Sequence, residues 1–439
     1  MKSNLSIRKW NFLKIFLIIV LFGLLLAGCK GSEGGSEPGI EVEQGSTVSG
    51  NGNSENGGST GSGSGEASGN ENGNSSAQSE RVILANIMTE VGSHNAHIDI
   101  KKLNETQFKV RVEEDMSSDG PHLVETIGYL SMKPGVYIVS GKKIIVGTIK
   151  TNHNWAQVEF PSLFKSTPVI IANIMTENGG HNAHIDMKNP NAAGFEVRVE
   201  EDMSSDVKHK IETISYIALE EGEYDMGGKK MIAGKLQTNH NWKKANFSAF
   251  EYKPVILANI MTEVGPHNAH IDLKSPTNSS FYARVEEDMS SAGPHLVETI
   301  GFIAIEEGMF TLKGQIMESG KVNANHKWHQ VTLMSARNLL LDTSKTEKVI
   351  VANIMSEVGS HNAHIDIKTL DQNKIKVRVE EDMSSDGPHL VETIGFLSFK
   401  PGVYQVDGKK IVVGKISTNH QWAQVEFATS FKSTPVIIA

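Results

Sequence analysis

The sequence predicts an all-β protein in which tandem six-stranded antiparallel β-sandwich domains follow a signal peptide and a disordered linker. Three observations support this fold class. The segment Ala-Asn-Ile-Met recurs at Ala85, Ala172, Ala258 and Ala352, so the chain contains internal repeats. Within each repeat, apolar and polar residues alternate over short stretches, which is typical of half-buried strands. Turns rich in Gly, Pro, Ser and Asp separate these stretches, and no long helical periodicity lies between them.

The first element in chain order, residues 1–28, is a predicted lipoprotein signal peptide. Positively charged residues precede an apolar stretch, Ile15–Leu26, that is shorter than the about 20 residues of a membrane span. The sequence Leu-Ala-Gly-Cys that ends at Cys29 resembles the bacterial lipobox, in which the Cys is diacylated and becomes the new N-terminus. Cys29 is the only Cys in the chain, so we predict lipidation there. The alternative is a plain signal peptide or a short anchor.

Residues 29–80 contain the lipidated Cys and a linker rich in Gly, Ser, Asn and Glu. Fourteen of residues 30–80 are Gly and twelve are Ser. This composition cannot bury enough apolar surface to offset the entropy of ordering, so we expect a flexible tether. The lipid and the tether together predict a location at the bacterial cell envelope, with the repeats facing outward from the membrane.

The repeats fill the rest of the chain at spacings of 87, 86 and 94 residues. Counting from Val82 gives four whole units. Counting from Gly147 and its equivalents leaves partial units at both ends, and we prefer this phase because it keeps Ser166–Ile170 within one domain. It implies that the sequence is a fragment of a longer protein; the alternative is a native end that closes the fourth unit. The predicted domains are a partial repeat (81–146), two β-sandwich repeats (147–233 and 234–319), a β-sandwich repeat with an insertion (320–413) and the start of a further repeat (414–439).

The landmarks of the second unit occur in a characteristic order: Gly147, Trp155–Phe160, Pro168–Ile171, Gly194–Val197 and Ile214–Ala218. This order resembles that of the H-type lectin domain, the fold of discoidin C-terminal domains and snail agglutinins. The resemblance implies a six-stranded antiparallel β-sandwich, trimeric association and sugar binding at subunit interfaces. The sugar contacts of the family do not carry over residue by residue, so the resemblance does not imply specificity for N-acetylgalactosamine.

Histidine placement gives the candidate site. Sixteen of the 17 His occupy four equivalent positions per unit, represented by His94, His97, His122 and His153. Strand alternation places His97 and Asp99 on one outward face, and the antiparallel neighbour should present an Arg and a Glu there, with His122 and Glu125 nearby. The candidate ligand-binding residues are His97, Asp99, Arg111 and Glu113, and their equivalents His184, Asp186, Arg198, Glu200, His270, Asp272, Arg284, Glu286, His364, Asp366, Arg378 and Glu380.

Three interpretations of this polar face remain open at the level of sequence. It can recognise a ligand, it can coordinate a metal through His94, His97 and Asp99, or it can be a solvated charge ladder that stabilises the sheet. The outward charges leave no evident apolar patch for docking between units. Four Trp residues are either platforms for sugar stacking or members of the core: Trp155, Trp242, Trp328 and Trp422.

The remaining features limit the classes of function. The chain carries a net charge of −9 and no cluster of basic residues, so we expect no nucleic-acid partner. No catalytic or nucleotide-binding motif is present, so we predict a non-enzyme without a cofactor. The leading prediction is a lipid-anchored, adhesin-like surface protein that binds glycans or glycoconjugates. A structural spacer or assembly module and a surface metal-binding protein are the alternatives. Consecutive units are expected to pack as an intrachain pseudo-trimer, or copies to form a trimer-like assembly.

Overall fold

A computed structural model describes most of the repeat region. The described residues are 82–89, 96–101, 107–114, 122–176, 178, 183–201, 208–264, 269–287, 294–312, 315–334, 348–356, 358, 363–381, 389–406 and 409–427. The predicted signal peptide, Cys29, the linker and the segment 428–439 lie outside them. Among the described residues, no helix is long and apolar enough to cross a membrane.

The alternating segments form strands joined by turns. An N-terminal segment contains β1 (Val82–Ile87), β2 (Ala96–Lys101), β3 (Gln107–Glu114) and β4 (Glu125–Met132). Sandwich 1 contains β5 (Gly135–Val139), β6 (Lys142–Thr151), β7 (Ala156–Glu159), β8 (Val169–Ile174), β9 (Ala183–Lys188), β10 (Gly194–Glu201) and β11 (Glu212–Leu219). Sandwich 2 contains β12 (Gly222–Asp225), β13 (Lys230–Thr238), β14 (Lys243–Asn246), β15 (Val255–Ile260), β16 (Ala269–Lys274), β17 (Ser280–Glu287) and β18 (Glu298–Ile305).

The same order of strands follows once more along the chain. Sandwich 3 contains β19 (Gly308–Leu312), β20 (Gln315–Ala324), β21 (His329–Thr332), β22 (Val349–Ile354), β23 (Ala363–Asp371), β24 (Lys374–Glu381) and β25 (Glu392–Phe399). A C-terminal segment then contains β26 (Gly402–Val406), β27 (Lys409–Thr418) and β28 (Ala423–Glu426).

Each sandwich combines two antiparallel sheets, which confirms the predicted all-β class. In sandwich 1 the four-stranded sheet has the order β5-β6-β11-β8 and the three-stranded sheet has the order β7-β10-β9. Apolar residues of both sheets, such as Phe195 and Tyr216, share one core. Each sandwich therefore has seven strands instead of the expected six, because the hairpin strand β5 pairs with β6 in the same sheet. Since β5 precedes Gly147, sheet pairing groups residues 135–219, whereas the sequence boundaries were 147–233.

A fourth sandwich is a composite of the N-terminal and C-terminal segments. Strand β27 lies between β4 and β26, in the sheet order β1-β4-β27-β26. Strand β28 joins the other sheet, in the order β2-β3-β28. Residues 82–132 and 402–427 thus supply the two parts of one domain within the described residues.

The four-stranded sheets carry apolar residues on both faces. One face packs in the core of its own sandwich, and the other packs against a neighbouring sandwich. In β8, Ile170 and Ala172 belong to the core of sandwich 1, whereas Val169 and Ile171 belong to a cluster that also includes Leu257 of sandwich 2. The expectation that no apolar docking surface exists was wrong, because it considered only the charged three-stranded sheet. The continuous burial of β8 and β11 along their whole length is the signature of this second apolar face.

The contacts between sandwiches follow a cyclic order. Strand β8 contacts β13 and β18, β15 contacts β20 and β25, β22 contacts β4 and β27, and β1 contacts β6. Amide side chains cross two of these boundaries, since Asn259 Nδ2 donates to the Ile170 carbonyl at 3.0 Å and Asn353 Nδ2 to the Ile256 carbonyl at 3.4 Å. The described contacts therefore join four sandwiches, whereas a pseudo-trimer joins three.

Candidate functional site

The outer face of the three-stranded sheet carries a cluster of four polar residues, which we name the polar quartet. In sandwich 1 it consists of His184, Asp186, Arg198 and Glu200. Strands β9 and β10 pair in antiparallel register, with His184 opposite Glu200 and Asp186 opposite Arg198. The intervening residues, such as Val199, point into the core, so strand alternation fixes the four polar side chains on one face. The cross-strand neighbours expected from the sequence are thus brought together.

Short polar contacts connect the quartet. Arg198 Nε donates to Asp186 Oδ2 at 2.8 Å, and Arg198 Nη2 donates to Glu200 Oε2 at 2.7 Å. His184 Nε2 lies 3.3 Å from Asp186 Oδ1 and 4.0 Å from Glu200 Oε2. Asp186 is fully buried and His184 is 7% exposed. The quartet therefore has a buried floor, which a fully solvated charge ladder would lack, while Arg198 and Glu200 stay partly exposed.

The quartet recurs with the same geometry. In sandwich 2, Arg284 Nε donates to Asp272 Oδ2 at 2.7 Å, and Arg284 also contacts Glu286. His270 Nε2 lies 3.2 Å from Asp272 Oδ1. In sandwich 3 the corresponding residues are His364, Asp366, Arg378 and Glu380, with an Arg378 Nε to Asp366 Oδ2 distance of 2.7 Å.

The composite sandwich shows half of the same arrangement. Arg111 Nε donates to Asp99 Oδ2 at 2.7 Å. The backbone register places His97 opposite Glu113, as in the other sandwiches. The side chains of His97 and Glu113 lie outside what the structure describes. His94 also lies outside the described residues, as do its equivalents His181, His267 and His361, so the metal candidate that includes His94 has no structural description.

In the three continuous sandwiches, the pKa values of the two carboxyl groups of the quartet are shifted in opposite directions. Burial opposes ionisation of Asp186, but interactions with His184, Glu200 and Arg198 outweigh it and hold the pKa of Asp186 well below its usual range. Burial and the neighbouring Asp186 raise the pKa of Glu200 to about 7. In sandwich 3, burial and Asp366 likewise raise the pKa of Glu380 to about 7. In sandwiches 1 and 3 the quartet therefore combines an ionised floor with a rim carboxyl whose pKa is about 7.

One oxygen of the floor has no hydrogen bond. Asp186 Oδ1 and Asp272 Oδ1 are buried and accept no hydrogen bond of acceptable geometry, although a His Nε2 lies at 3.2–3.3 Å from each. In the three continuous sandwiches the His, Asp and Glu of the quartet each offer a ligand atom, and these atoms lie within 4.8 Å of one another. Such a set of one imidazole and two carboxylates suits a divalent transition metal.

A tryptophan lies beside each quartet. The Trp155 ring contacts Lys188 Nζ at 4.1 Å and Arg198 Cζ at 4.9 Å from its centroid. The ring is half-buried, so Trp155 is not a fully buried core residue. The other rings have equivalent contacts: Trp242 with Lys274 and Arg284, Trp328 with Lys368 and Arg378, and Trp422 with Lys101 and Arg111.

A separate buried pair accounts for a further class of histidine. His209 Nε2 lies 3.1 Å from Glu212 Oε1, and His209 Nδ1 lies 3.2 Å from Glu201 Oε1. Glu212 also accepts hydrogen bonds from Thr176 Oγ1 and from the Asn178 backbone N–H. The sequence placed His122 and Glu125 near the polar face. In the composite sandwich they form this buried pair, with Nε2 and Oε1 3.2 Å apart.

Histidines of the fourth class contact the backbone of the buried histidines. His153 Nδ1 lies 3.3 Å from the His209 carbonyl oxygen, and His420 Nδ1 lies 3.3 Å from the His122 carbonyl oxygen. Contacts within the protein therefore account for two of the four recurrent His positions, those of His209 and His153, and no ligand is needed to explain them. The role of the lysines beside the Trp rings was not predicted from the sequence. The available signal was the recurrence of a Lys two residues after the Asp of each quartet, in strands β2, β9, β16 and β23.

Comparison with known proteins yields one distant similarity. Halomucin from Haloquadratum walsbyi (strain DSM 16790 / HBSQ001) is 25% identical over 239 residues. The aligned region covers 51% of this chain and 3% of Halomucin, so the chain spans only a small part of that protein's length. No protein-family model and no solved structure matches the sequence.

Proposed function

We propose that the protein is a lipid-anchored surface protein that binds carbohydrate through repeated H-type-lectin-like sandwiches. The main support for this proposal is that a partly exposed Trp, an Arg and two carboxyl groups recur together on the outer face of the three-stranded sheet. Carboxylates accept hydrogen bonds from sugar hydroxyl groups, Arg donates to them, and an aromatic ring packs against the apolar face of a sugar. One site on each sandwich suits multivalent binding, because linked weak sites gain from effective concentration.

The proposed location combines two lines of support. The predicted lipobox at Cys29 and the Gly/Ser-rich linker favour an anchored protein held away from its membrane. The similarity to Halomucin, whose name denotes a mucin, fits a surface or envelope protein. Substitution of Cys29 by Ala tests the anchor. The variant should lose lipid incorporation and membrane association, and a variant that matures and fractionates like the parent contradicts the proposed anchor.

A glycan array tests the binding function. The full chain with Cys29→Ser should bind a subset of glycans, and alanine substitution of the Trp should remove that binding without a large change in melting temperature. The test variant replaces Trp155, Trp242, Trp328 and Trp422 by Ala. A matched control replaces exposed residues at an equivalent position two residues later: Gln157, Lys244, Gln330 and Gln424. If the parent binds no glycan, or if both variants lose binding equally, the proposed site is wrong.

The buried floor favours a second candidate function, binding of a divalent transition metal. Asp186 Oδ1 and Asp272 Oδ1 accept no hydrogen bond, and each lies among three metal-compatible side chains. Against this, the guanidinium of Arg198 already neutralises the same carboxyl groups. Calorimetric titration with Zn²⁺ decides between the two. Binding to the parent that disappears in a variant with His184→Ala, His270→Ala and His364→Ala supports the metal, whereas no heat of binding excludes it.

A further inference from the structure

The composite sandwich is built from two segments that are far apart in the sequence. Its two segments meet along the full length of β4, from Met132 opposite Ile411 to Glu125 opposite Thr418. Strand β28 pairs with β3 in the second sheet, and Phe427 packs on Phe108 with ring centroids 5.7 Å apart. The C-terminal segment thus supplies one central strand, β27, and core side chains, and the N-terminal segment alone would expose its apolar core.

The candidate site of this sandwich is also divided between the two segments. Lys101, Asp99 and Arg111 come from the N-terminal segment, whereas the Trp beside them, Trp422, comes from the C-terminal segment. The fourth site is therefore incomplete unless a C-terminal segment is in place. Whatever supplies that segment also completes the site.

The sequence shows that the C-terminal segment is a standard part of this repeat. Residues 400–439 are identical to residues 133–172 at 31 of 40 positions. In sandwich 1 the equivalent strands β6 and β7 pair with β11 and β10, just as β27 and β28 pair with β4 and β3 of the N-terminal segment. A C-terminal segment from any copy of the chain presents the same complementary surface.

Strand β22 contacts β27, which follows it in the chain, and also β4 of the N-terminal segment, while β1 contacts β6. These contacts close a ring of four sandwiches within one chain. Completion by a second copy keeps the pairing of β27 with β4 and of β28 with β3, and an open assembly gives up one of the ring's contacts between sandwiches. The choice between one copy and two then depends on effective concentration, because exchange of an identical element adds few new contacts.

We propose that residues 402–426 exchange between copies, so that the C-terminal segment of one chain completes residues 82–132 of the next. This contact is heterologous, and an exchange that does not close on itself produces an open, end-to-end assembly. Every junction of that assembly contains a candidate site with residues from two copies. Copies concentrated on one membrane would favour exchange over internal closure.

Cross-linking between two single-Cys variants tests the exchange. Both chains carry Cys29→Ser; one adds Lys109→Cys and the other Gln424→Cys, which are directly opposite across β3 and β28. The two are unfolded together, refolded over a hundredfold range of concentration and treated with a short bismaleimide. We expect a covalent dimer of the two variants whose yield rises with concentration, and a matching rise in mass by light scattering without the cross-linker.

The control pair occupies the equivalent positions of a continuous sandwich. Glu196→Cys and Gln157→Cys are opposite each other across β10 and β7, and we expect little dimer from them. A single chain with both Lys109→Cys and Gln424→Cys should link internally at low concentration. Dimer yields no higher than the control pair at every concentration overturn the proposal, and so does a double variant that fails to link, because the composite sandwich then does not form.

Discussion

The ring of Tyr129 lies over Gly414, its cross-strand partner in β4 and β27, although the two residues belong to opposite ends of the repeat region. A Cβ at Gly414 would lie 2.4 Å from this ring. In sandwich 1, which is continuous in sequence, Gly147 and Tyr216 are cross-strand partners in the same way. A Cβ at Gly147 would lie 2.4 Å from the Tyr216 hydroxyl. The junction between the two terminal segments is therefore built with the same close fit as the interior of an uninterrupted domain.

Substitution of this glycine should open the composite sandwich selectively. In Gly414→Val the new side chain meets the Tyr129 ring, and overpacking of this kind costs about 1–3 kcal/mol. Hydrogen exchange should speed up in residues 82–132 and leave residues 222–305 unchanged. Gly320→Val is the matched control, because it meets Phe396 within a continuous sandwich. It should affect residues 308–399 instead. Equal effects of both variants on both regions would contradict an independent composite sandwich.

The boundary between sandwiches 1 and 2 offers a second test. A Cβ at Gly301 would lie 2.8 Å from Val169 Cγ1 of the neighbouring sandwich and 2.7 Å from Met261 Sδ. Gly301→Val should therefore weaken the boundary by about 1–3 kcal/mol and expand the molecule in small-angle scattering. The equivalent position in sandwich 1 is Ser215, which is buried there. Ser215→Gly is the control and should leave the scattering profile unchanged. An unchanged profile for Gly301→Val would argue against a packed boundary.

The buried His–Glu pair should matter more than the surface histidines. His295 lies between Glu287 and Glu298, with its ring nitrogens 3.2 and 3.1 Å from their oxygens. His295→Leu removes the ring that both carboxyl groups contact, and the expected loss in the free energy of unfolding is about 1–3 kcal/mol. His240→Ala removes a partly exposed ring from the same sandwich and should cost about 1 kcal/mol. Chemical denaturation measures both, and similar losses would refute a special role for the buried pair.

The quartet should give the protein a pH dependence below neutrality. The pKa of Glu200 is raised to about 7 from an ordinary value of 4.5, so the folded state favours its protonated form. The stability that this proton contributes is complete below the ordinary pKa and is lost as the pH rises through about 7. The ¹³C resonances of the Glu carboxyl groups should show one titration near pH 7 that Glu200→Gln removes and another that Glu380→Gln removes. Titration of all Glu near their ordinary pKa would show that the quartet does not couple its carboxyl groups.

Strand alternation was enough to predict much of the site. The period of two placed His97 with Asp99, and the antiparallel neighbour supplied Arg111 opposite Asp99, as the register shows. The burial of the equivalent Asp186 was not predictable, because it depends on where long side chains from neighbouring strands lie. The partial exposure of Trp155 has the same origin: its ring packs on Lys188 and Arg198, which come from two other strands.

The relation between repeats was harder to predict than the fold of one repeat. The apolar runs of β8 and β11 indicated burial, but a run buried on both faces looks the same whether its second face meets its own domain or a neighbour. The completion of β4 by β27 was also beyond the sequence pattern, because residues 133–160 immediately after β4 have almost the same sequence as the segment that pairs with it.

The separation of the two segments in the sequence also delays completion of the composite sandwich during synthesis. His122 and His420, which meet in this sandwich, are 298 residues apart in sequence. At about 5–20 residues per second, a ribosome needs roughly 15–60 s to bridge that interval. The three continuous sandwiches can each close soon after their own last strand emerges, but strands β1–β4 must wait for residues 402–426. That half-domain is consequently the part of the nascent chain with the longest exposure to chaperones, proteases and neighbouring nascent chains.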